Sequence, residues 1–254
     1  MHLDGKVAVI TGAGSGMGRS MANLFAEHGA KIVAGDWHAG SLDELVAEVR
    51  AAGGEITGVQ GNVALEEDCE RLIDAAVATY GGVDILCNNA GVMDLFQGVA
   101  ELEDAVWERV MSINVDGPMF LTRKVVPIMI ARGGGSIVMT ASAAAIGGGA
   151  AGAAYTVSKH ALVGLMRSTA YRYALDGIRC NAMACGGVET NIMQSVDPTK
   201  IDPAGGARYG AYQALIPAML KPVEIAQLAM FLASDDAKHL NGAVIPIDGG
   251  WTVA

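Results

Sequence analysis

Short apolar runs alternate with longer stretches of helical periodicity along the whole chain. The first run, Lys6–Thr11, is continuous and bounded by glycines, which is typical of a central parallel strand covered on both faces. Six further runs predict strands at Lys31–Asp36, Glu55–Asn62, Asp84–Gly91 with a break at Asn88-Asn89-Ala90-Gly91, Gly135–Ala141, Ile178–Ala184 and Ala243–Ile247. The chain is therefore expected to contain seven strands separated by helices.

Helical periodicity fills most of the segments between these strands. Helices are predicted after Gly18, at Ser41–Ala52, at Leu65–Tyr80, in two pieces of Trp107–Arg132 that break near Asp116–Pro118, from Tyr155, and from Pro222. The stretch between Ala184 and about Pro217 is predicted to be irregular. Because strands alternate with helices and no linker divides them, residues 1–254 are predicted to form one Rossmann-like α/β domain, a doubly wound parallel seven-stranded sheet with helices on both faces.

Composition narrows the classes of partner. The chain has 254 residues, of which 52% are hydrophobic and only 5% aromatic, and its formal net charge is −10. No basic cluster is present, so nucleic acid is not an expected partner. No apolar run approaches the roughly 20 residues of a membrane helix, and the N-terminus does not resemble a leader. We expect a cytoplasmic protein that does not bind membranes.

The four cysteines do not predict a metal site. Cys69, Cys87, Cys180 and Cys185 lack paired metal-ligand spacing, and most of them are expected to be reduced thiols in the core. Two interpretations of Cys185 stay open, because it follows a predicted strand beside glycines. It is either a partly exposed, reactive thiol or a buried and inert one.

A glycine-rich turn follows the first strand. Thr11-Gly12-Ala13-Gly14-Ser15-Gly16-Met17-Gly18 leads into a helix, and such a turn lets a pyrophosphate approach the backbone at a helix N-terminus. The spacing, Gly-x-x-x-Gly-x-Gly, differs from the common Gly-x-Gly-x-x-Gly. The second strand then ends at Asp36, which can accept a hydrogen bond from a ribose 2′-hydroxyl and would repel a 2′-phosphate. The cofactor prediction is NAD.

A second cluster of reactive side chains lies around residue 155. Tyr155 and Lys159 are four residues apart in a predicted helix and therefore share one face. A cation within a few ångströms favours the phenolate form of a tyrosine, whose ordinary pKa is about 10. Ser142 ends the preceding strand, from which its hydroxyl could reach the same substrate oxygen.

These motifs together resemble those of the short-chain dehydrogenase/reductase family. The resemblance rests on the glycine turn, Asn88-Asn89-Ala90-Gly91, Asn114, Ser142 and the Tyr155-x-x-x-Lys159 pair, and it covers nearly the whole chain. It implies a catalytic tetrad of Asn114, Ser142, Tyr155 and Lys159. It also implies contacts with the cofactor from Thr11, Gly12, Ser15, Gly16, Met17, Gly18, Asp36, Asn62, Val63, Asn89, Ala90, Gly91, Tyr155, Lys159, Val188 and Thr190.

Two residues depart from the family pattern. Asn62 stands where an aspartate usually contacts the adenine amino group, and its amide oxygen can still accept that hydrogen bond. Cys185 stands where a proline is usual, so the turn beside the nicotinamide loses a fixed φ.

The expected reaction is hydride transfer between NAD(H) and a secondary alcohol or ketone. Val92–Val99, Ala143–Gly152 and a substrate-loop segment at about residues 186–219 are expected to form the substrate pocket. Their apolar residues favour an apolar or bulky substrate of the hydroxysteroid or cyclic alcohol type: Met93, Leu95, Phe96, Ile146, Met193, Tyr209, Tyr212, Ile216 and Met219.

Two alternatives stay open. A 3-oxoacyl-carrier-protein reductase would share the tetrad, and a noncatalytic NAD-sensing module would share the fold. Apolar helices at 118–130 and 161–166, together with the resemblance, imply a homotetramer.

Overall fold

A parallel sheet forms the centre of the computed structural model, which describes residues 2–253. Its order is β3-β2-β1-β4-β5-β6-β7. The strands are β1 (Val7–Thr11), β2 (Lys31–Asp36), β3 (Glu55–Gln60), β4 (Ile85–Asn88), β5 (Gly135–Thr140), β6 (Ile178–Cys185) and β7 (Val244–Ile247). All five residues of β1 are buried, as its continuous apolar run requires. The predicted doubly wound parallel sheet is confirmed.

Helices cover both faces of the sheet. One apolar cluster contains residues of α1 (Gly16–Glu27), α2 (Ala39–Ala51) and α8 (Pro222–Ala233). The cluster on the other face contains residues of α3 (Glu66–Tyr80), α5 (Gly117–Ala131) and α6 (Ala153–Arg172). A third cluster joins Tyr155 to residues of α4 (Asp104–Met111) and α7 (Pro203–Gln213).

The order of the strands determines where a ligand can bind. β1 lies between β2 and β4, so the chain leaves β1 in one direction as far as β3 and then crosses over to β4. At such a reversal the loops after the two neighbouring strands separate and leave a crevice at their carboxyl ends. The glycine turn follows β1 and the Asn88-Asn89 pair ends β4, so both predicted motifs lie at this crevice.

Two parts of the helix prediction are wrong. The stretch from Ala184 to Pro217 is not irregular throughout, because α7 forms within it. Asp202 caps this helix by accepting a hydrogen bond from Gly205 N, and Pro203 occupies its first turn. The predicted break near Asp116–Pro118 is instead a π-helical turn, Ser112–Asp116, that joins α4 to α5 without a loop.

None of the helices within residues 2–253 is long and apolar enough to span a bilayer. The four cysteines are free and buried.

Candidate active site

The turn between β1 and α1 leaves its backbone open to a ligand. Gly12 and Gly16 have φ of +63° and +50°, a region in which residues with a Cβ are strained. Gly18 is required for space, because a Cβ there would lie 2.1 Å from Gly12 O. Ser15, the N-cap of α1, makes no side-chain capping bond. The first N–H groups of α1 can therefore bind an anion, as the pyrophosphate of a dinucleotide requires.

Thr11 and Asn89 hold this turn against the end of β4. The Thr11 hydroxyl accepts hydrogen bonds from Asn89 N at 3.0 Å and Ala90 N at 3.1 Å. The Asn89 amide donates to Thr11 O at 2.9 Å. These bonds fix the two walls of the crevice relative to each other.

Asp36 lies at the carboxyl end of β2. Its Oδ2 accepts a hydrogen bond from Gly14 N at 2.8 Å and its Oδ1 accepts one from His38 N at 2.9 Å. Each oxygen keeps a further lone pair. Trp37 beside it is 75% exposed. The Asn62 oxygen accepts a hydrogen bond from Ala64 N at 3.0 Å, and also keeps one lone pair.

The structure brings Ser142, Tyr155 and Lys159 to one wall of the crevice. Ser142 follows β5, whereas Tyr155 and Lys159 lie in the first two turns of α6. The Ser142 hydroxyl lies close enough to the Tyr155 phenol to lower its pKa. Lys159 Nζ donates to Thr140 O at 2.9 Å and lies 5.4 Å from the centre of the Tyr155 ring.

Burial controls the protonation of this cluster. Tyr155 is only 6% exposed, and burial raises the pKa of its phenol well above the ordinary value, while the Ser142 hydrogen bond lowers it. Burial also lowers the pKa of Lys159 to about 8, with the nearby Cys185 acting in the opposite direction. The protein alone therefore favours a protonated phenol, and the ammonium of Lys159 can release its proton near neutral pH.

Asn114 lies behind this wall in the π-helical turn and is 1% exposed. Its Oδ1 accepts a hydrogen bond from Val92 N at 2.9 Å, and its Nδ2 donates to Val92 O at 3.0 Å and Ser158 Oγ at 3.1 Å. A Cβ added at Gly91 would lie 3.3 Å from Asn114 Oδ1 and 3.4 Å from Lys159 Nζ. A side chain at position 91 would therefore be crowded against both groups, and the glycine lets the amide and the ammonium approach the backbone there.

A single cleft of about 1010 Å³ connects these groups. Of the predicted site residues, it is lined by Gly12, Ser15, Gly16, Met17, Asp36, Asn62, Val63, Asn89, Ala90, Gly91, Ser142, Tyr155, Lys159, Val188 and Thr190. Thr11, Gly18 and Asn114 do not line it but pack behind its walls.

The substrate end of the cleft differs from the prediction at several positions. Met93, Met193, Tyr209, Ile216 and Met219 line it as expected. Four predicted residues are not among the lining residues: Leu95, Phe96, Ile146 and Tyr212. Leu95 and Phe96 are buried in the third apolar cluster, the Tyr212 ring packs on Trp251 at 4.6 Å, and Ile146 is 43% exposed. For Leu95 and Phe96, apolar character indicated burial and not contact with a ligand.

The interpretation of Cys185 as a partly exposed, reactive thiol is wrong. The residue is 5% exposed, its Sγ lies 3.7 Å from Met183 O, and burial raises the pKa of the thiol to about 12. A thiol in this state reacts slowly with alkylating reagents. Cys185 is the last residue of β6 and packs with the buried apolar core.

Several polar residues of the cleft escaped the sequence analysis. Arg109 and Glu189 line the cleft, so the cleft carries more charge than expected. Gln194 and Gln213 add two side-chain amides. Among residues 2–253, no group of three or more His, Cys, Asp or Glu side chains is arranged to hold a metal ion.

Comparison with known proteins identifies the family. The family model described as enoyl-(acyl carrier protein) reductase matches residues 12–252. A relative from Eggerthella lenta, 3beta-hydroxysteroid dehydrogenase 2, is 42% identical over 251 residues, which are 98% of this chain and 96% of the relative.

Two solved structures have the same fold. Levodione reductase superposes with a TM-score of 0.89 at 34% identity and 99% coverage of both chains. A protein from Beutenbergia cavernae, assigned as an NAD(P)-dependent gluconate 5-dehydrogenase and containing NADP at low occupancy, gives a TM-score of 0.87 at 35% identity, covering 100% of this chain and 99% of its own. Together with the glycine turn and the Ser142, Tyr155 and Lys159 wall, these matches show that the chain belongs to the short-chain dehydrogenase/reductase family, whose members are oxidoreductases that use a nicotinamide cofactor.

Proposed function

We propose that this protein is an NAD(H)-dependent oxidoreductase that interconverts a secondary alcohol and its ketone. One observation carries the proposal: Ser142, Tyr155 and Lys159 line the same cleft as the open glycine turn and Asp36. One part of that cleft can take a dinucleotide while another holds a proton donor beside the substrate. The alternative of a noncatalytic NAD-sensing module does not need a buried phenol and ammonium together.

Tyr155 exchanges the hydroxyl proton of the substrate. Its phenol lies beside Ser142, whose hydroxyl can turn to polarise the same substrate oxygen. When bound, the nicotinamide supplies or accepts the hydride, and its oxidised ring adds the positive charge that favours the phenolate. Lys159 places a second positive charge 5.4 Å from the phenol ring.

Asn114 and Lys159 pass the proton onward to solvent. Asn114 Oδ1 and Lys159 Nζ both lie beside Gly91, and a water that accepts a hydrogen bond from the ammonium would link the two side chains. With its pKa near 8, Lys159 can give up and regain a proton at neutral pH.

The open turn and Asp36 favour NAD over NADP. The cleft near the Asp36 carboxylate is lined by Trp37, His38 and Ser41, and none of these three is an arginine or a lysine. A 2′-phosphate there would meet a carboxylate and no fixed positive charge. The Beutenbergia cavernae structure contains NADP, so the choice of cofactor needs its own measurement.

The substrate is an apolar or bulky secondary alcohol, of the hydroxysteroid or cyclic alcohol type. The methionines and Tyr209 at the substrate end support this, as does the similarity to a 3beta-hydroxysteroid dehydrogenase. The description of the matching family model favours the second candidate, a carrier-protein reductase. Asp36 and the net charge of −10 disfavour that candidate, because an acidic carrier protein binds best to a basic surface.

We further propose that the protein is a cytoplasmic homotetramer. Within residues 2–253, β3 and β7 are the edge strands of the sheet, and an edge strand can pair with or pack against another copy. Ile130 of α5 and Val157 of α6 are 40% and 43% exposed and supply apolar surface for a second contact.

Turnover measurements distinguish the candidates. The purified protein is assayed with NAD and NADP on a hydroxysteroid, cyclohexanol and a matched primary alcohol, and in reverse with an acyl-thioester ketone and NADPH. The proposal expects turnover of a secondary alcohol with NAD and little with the primary alcohol. Higher activity on the thioester with NADPH would favour the carrier-protein reductase, and binding of NAD without any turnover would favour the sensing module.

A further inference from the structure

Asp94 is an acid buried inside an otherwise apolar segment. It lies between Met93 and Leu95 in the chain that follows β4, and it is 1% exposed. Aspartate is almost never fully buried without partners that compensate its charge. Nothing in the proposed chemistry uses this carboxylate directly, so its burial requires another explanation.

The partners of Asp94 are backbone N–H groups from two distant parts of the chain. Oδ1 accepts hydrogen bonds from Phe96 N at 3.0 Å and Gly152 N at 3.1 Å. Oδ2 accepts one from Tyr155 N at 2.9 Å. Arg109 of α4 places its guanidinium nearby, donating to Met93 O at 2.6 Å. Bonds to a charged acceptor are about twice as strong as neutral ones.

Asp94 replaces the cap that helix α6 lacks. The N-cap position of α6 is Gly152, which has no side chain to accept a hydrogen bond from the first turn. A carboxylate 61 residues earlier in the chain than Tyr155 does this instead. A Cβ at Gly152 would lie 2.6 Å from Asp94 Oδ2, so the glycine makes room for the distant cap.

The same segment supports helix α7 on the substrate side. Asp202, the N-cap of α7, donates its N–H to Leu95 O at 3.0 Å. The Phe96 ring stacks on Tyr209 of α7 with centroids 4.4 Å apart. Phe96 is the only non-glycine residue within 2–253 that has a positive φ, at 59°. The bond from Phe96 N to Asp94 holds this unusual conformation.

We propose that Asp94 is a positioning residue for the reaction, because its carboxylate anchors both the first turn of α6, which carries Tyr155, and the segment that supports Tyr209 of α7. The proposal rests on the proposed function, in which Tyr155 exchanges the proton of the substrate. It makes the distance between the phenol of Tyr155 and the substrate-facing side of α7 depend on one buried carboxylate.

Asp94→Asn tests the anchor with a minimal change of shape. The amide oxygen of asparagine can still accept up to two hydrogen bonds. Its NH2 group is only a donor, so it cannot accept a hydrogen bond from the backbone N–H that faces it. Asp84→Asn is the matched control, because Asp84 Oδ2 accepts a hydrogen bond from Val7 N at 2.8 Å and Asp84 pairs with Arg132, at the opposite end of β4. We expect kcat, normalised to the concentration of sites that bind NADH, to fall by about 10- to 100-fold in Asp94→Asn. The affinity for NAD should stay within about twofold of wild type. Asp84→Asn should keep its kcat.

The pH profile separates positioning from a general loss of stability. The charged or titratable groups that face Tyr155 are Lys159, Cys185, Asp94 and Tyr209, and Arg109 faces Asp94. Removing the negative charge of Asp94 stabilises the phenolate. The limb of the kcat/KM profile that reports the phenol should therefore move to lower pH in Asp94→Asn and stay in place in Asp84→Asn. An unmoved limb together with an unchanged kcat would overturn the proposal.

Hydrogen exchange tests the anchor without any activity. In Asp94→Asn, the amides at 152–156 and 203–209 should exchange at least about tenfold faster than in wild type, because one amide oxygen cannot keep all three bonds and the common attachment of the two segments is weakened. If Asp94→Asn does not fold, Gly152→Ala perturbs the same contact from the other side and should give the same pattern. If the variant exchanges the amides of both segments at the wild-type rates, Asp94 does not anchor them. If the wild-type protein turns over no alcohol, the proposed function is wrong. The hydrogen-exchange measurement still tests the structural role of Asp94 in that case.

Discussion

The hydroxyl of Tyr155 lies where the protein alone opposes its ionisation. Burial raises the pKa of the phenol, and the Ser142 hydrogen bond compensates only in part. The phenol therefore holds its proton until positive charge arrives, which suits a group that must donate in one direction and accept in the other.

Replacing Tyr155 by phenylalanine removes this proton and keeps the ring. We expect Tyr155→Phe to lower kcat by about 10²- to 10⁴-fold, the usual contribution of a general acid or base. NAD affinity should stay within about twofold, as measured by quenching of protein fluorescence. An enzyme that keeps more than a few per cent of kcat would contradict the proposed mechanism.

Lys159 gives a prediction about stability. Its side chain is buried and its pKa is lowered to about 8 from an ordinary value near 10.5, so the unfolded state binds more protons between these two pH values. The charged lysine therefore costs stability below pH 8, and that cost fades as the pH rises toward 10.5. We expect Lys159→Met to lose activity and, at pH 7, to gain on the order of 1 to 3 kcal/mol in the free energy of unfolding.

Urea unfolding at pH 7 and pH 10 measures this change in stability. The gain of Lys159→Met over wild type should shrink at the higher pH, because the folded lysine is then neutral. An equal gain at both pH values, or a loss at pH 7, would show that the bond to Thr140 O outweighs the buried charge.

Asp36 decides the cofactor prediction. We expect Asp36→Ala combined with Trp37→Arg to raise the NADP-to-NAD ratio of kcat/KM by at least about tenfold, because a repulsive charge is lost and a phosphate partner is gained. The variant also loses the bonds to Gly14 N and His38 N, so some activity with both cofactors should be lost. A wild-type enzyme that already prefers NADP would refute the role given to Asp36.

At the scale of single residues, the sequence predicted which reactive side chains meet better than it predicted which residues are buried. Ser142, Tyr155 and Lys159 meet as expected, because strand ends and helix faces follow from periodicity. Asp94 was missed, although an acid inside an apolar run was a visible signal. Two of its three hydrogen-bond partners, Gly152 N and Tyr155 N, lie about 60 residues away along the chain, and only the tertiary structure brings them together.

Among the elements, α7 shows where periodicity fails. Its sequence contains three glycines, none of its residues is buried, and it therefore has no apolar stripe to detect. The Asp202-Pro203 start was the only local signal of a helix. The helix that carries Asn114 was predicted, but its π-helical turn was not, because an irregular turn leaves no mark in residue type.

Two glycine substitutions distinguish a steric clash in the turn before α1 from the effect of alanine on helix propensity. Gly18→Ala adds a Cβ 2.1 Å from Gly12 O, so the turn must move, and we expect NAD affinity to fall at least about tenfold. Gly210→Ala in α7 is the control, because nothing lies within 4 Å of the added Cβ. The control should keep its NAD affinity and gain about 0.5 to 1 kcal/mol in the free energy of unfolding. Calorimetric titration and thermal unfolding measure the two effects, and equal NAD affinities in the two variants would contradict the steric explanation.

For the whole molecule, the alternation of strands and helices was enough to predict the parallel sheet but not its order. Sequence patterns do not say which strand lies beside β1. The preference for right-handed crossovers reduces the possible orders, and packing of α1, α2 and α8 on one face selects among them. The crevice for the cofactor depends on that order.

Assembly is tested by light scattering at micromolar concentration. A homotetramer should have four times the 26.1 kDa mass of the chain. Ile130→Asp places a charge on the exposed apolar surface of α5 and should dissociate the assembly, because an unpaired charge is costly to bury. Val99→Asp, at a site that is 87% exposed in a loop, should leave the mass unchanged. A monomeric wild type would refute the tetramer.

The orientation of Asn114 depends on the number of residues in the π-helical turn at Ser112–Asp116. Such a turn accommodates one residue more than an α-helical turn of similar rise. Loss of a single codon between Ser112 and Asp116 would let α4 continue into α5 as regular helix, and the side chains left inside the turn would take new angular positions around the helix axis. All the remaining side chains would be unchanged, yet the Asn114 amide would no longer face Val92 and Ser158. Deletion of one residue from this turn should therefore damage the site more than most single substitutions in it.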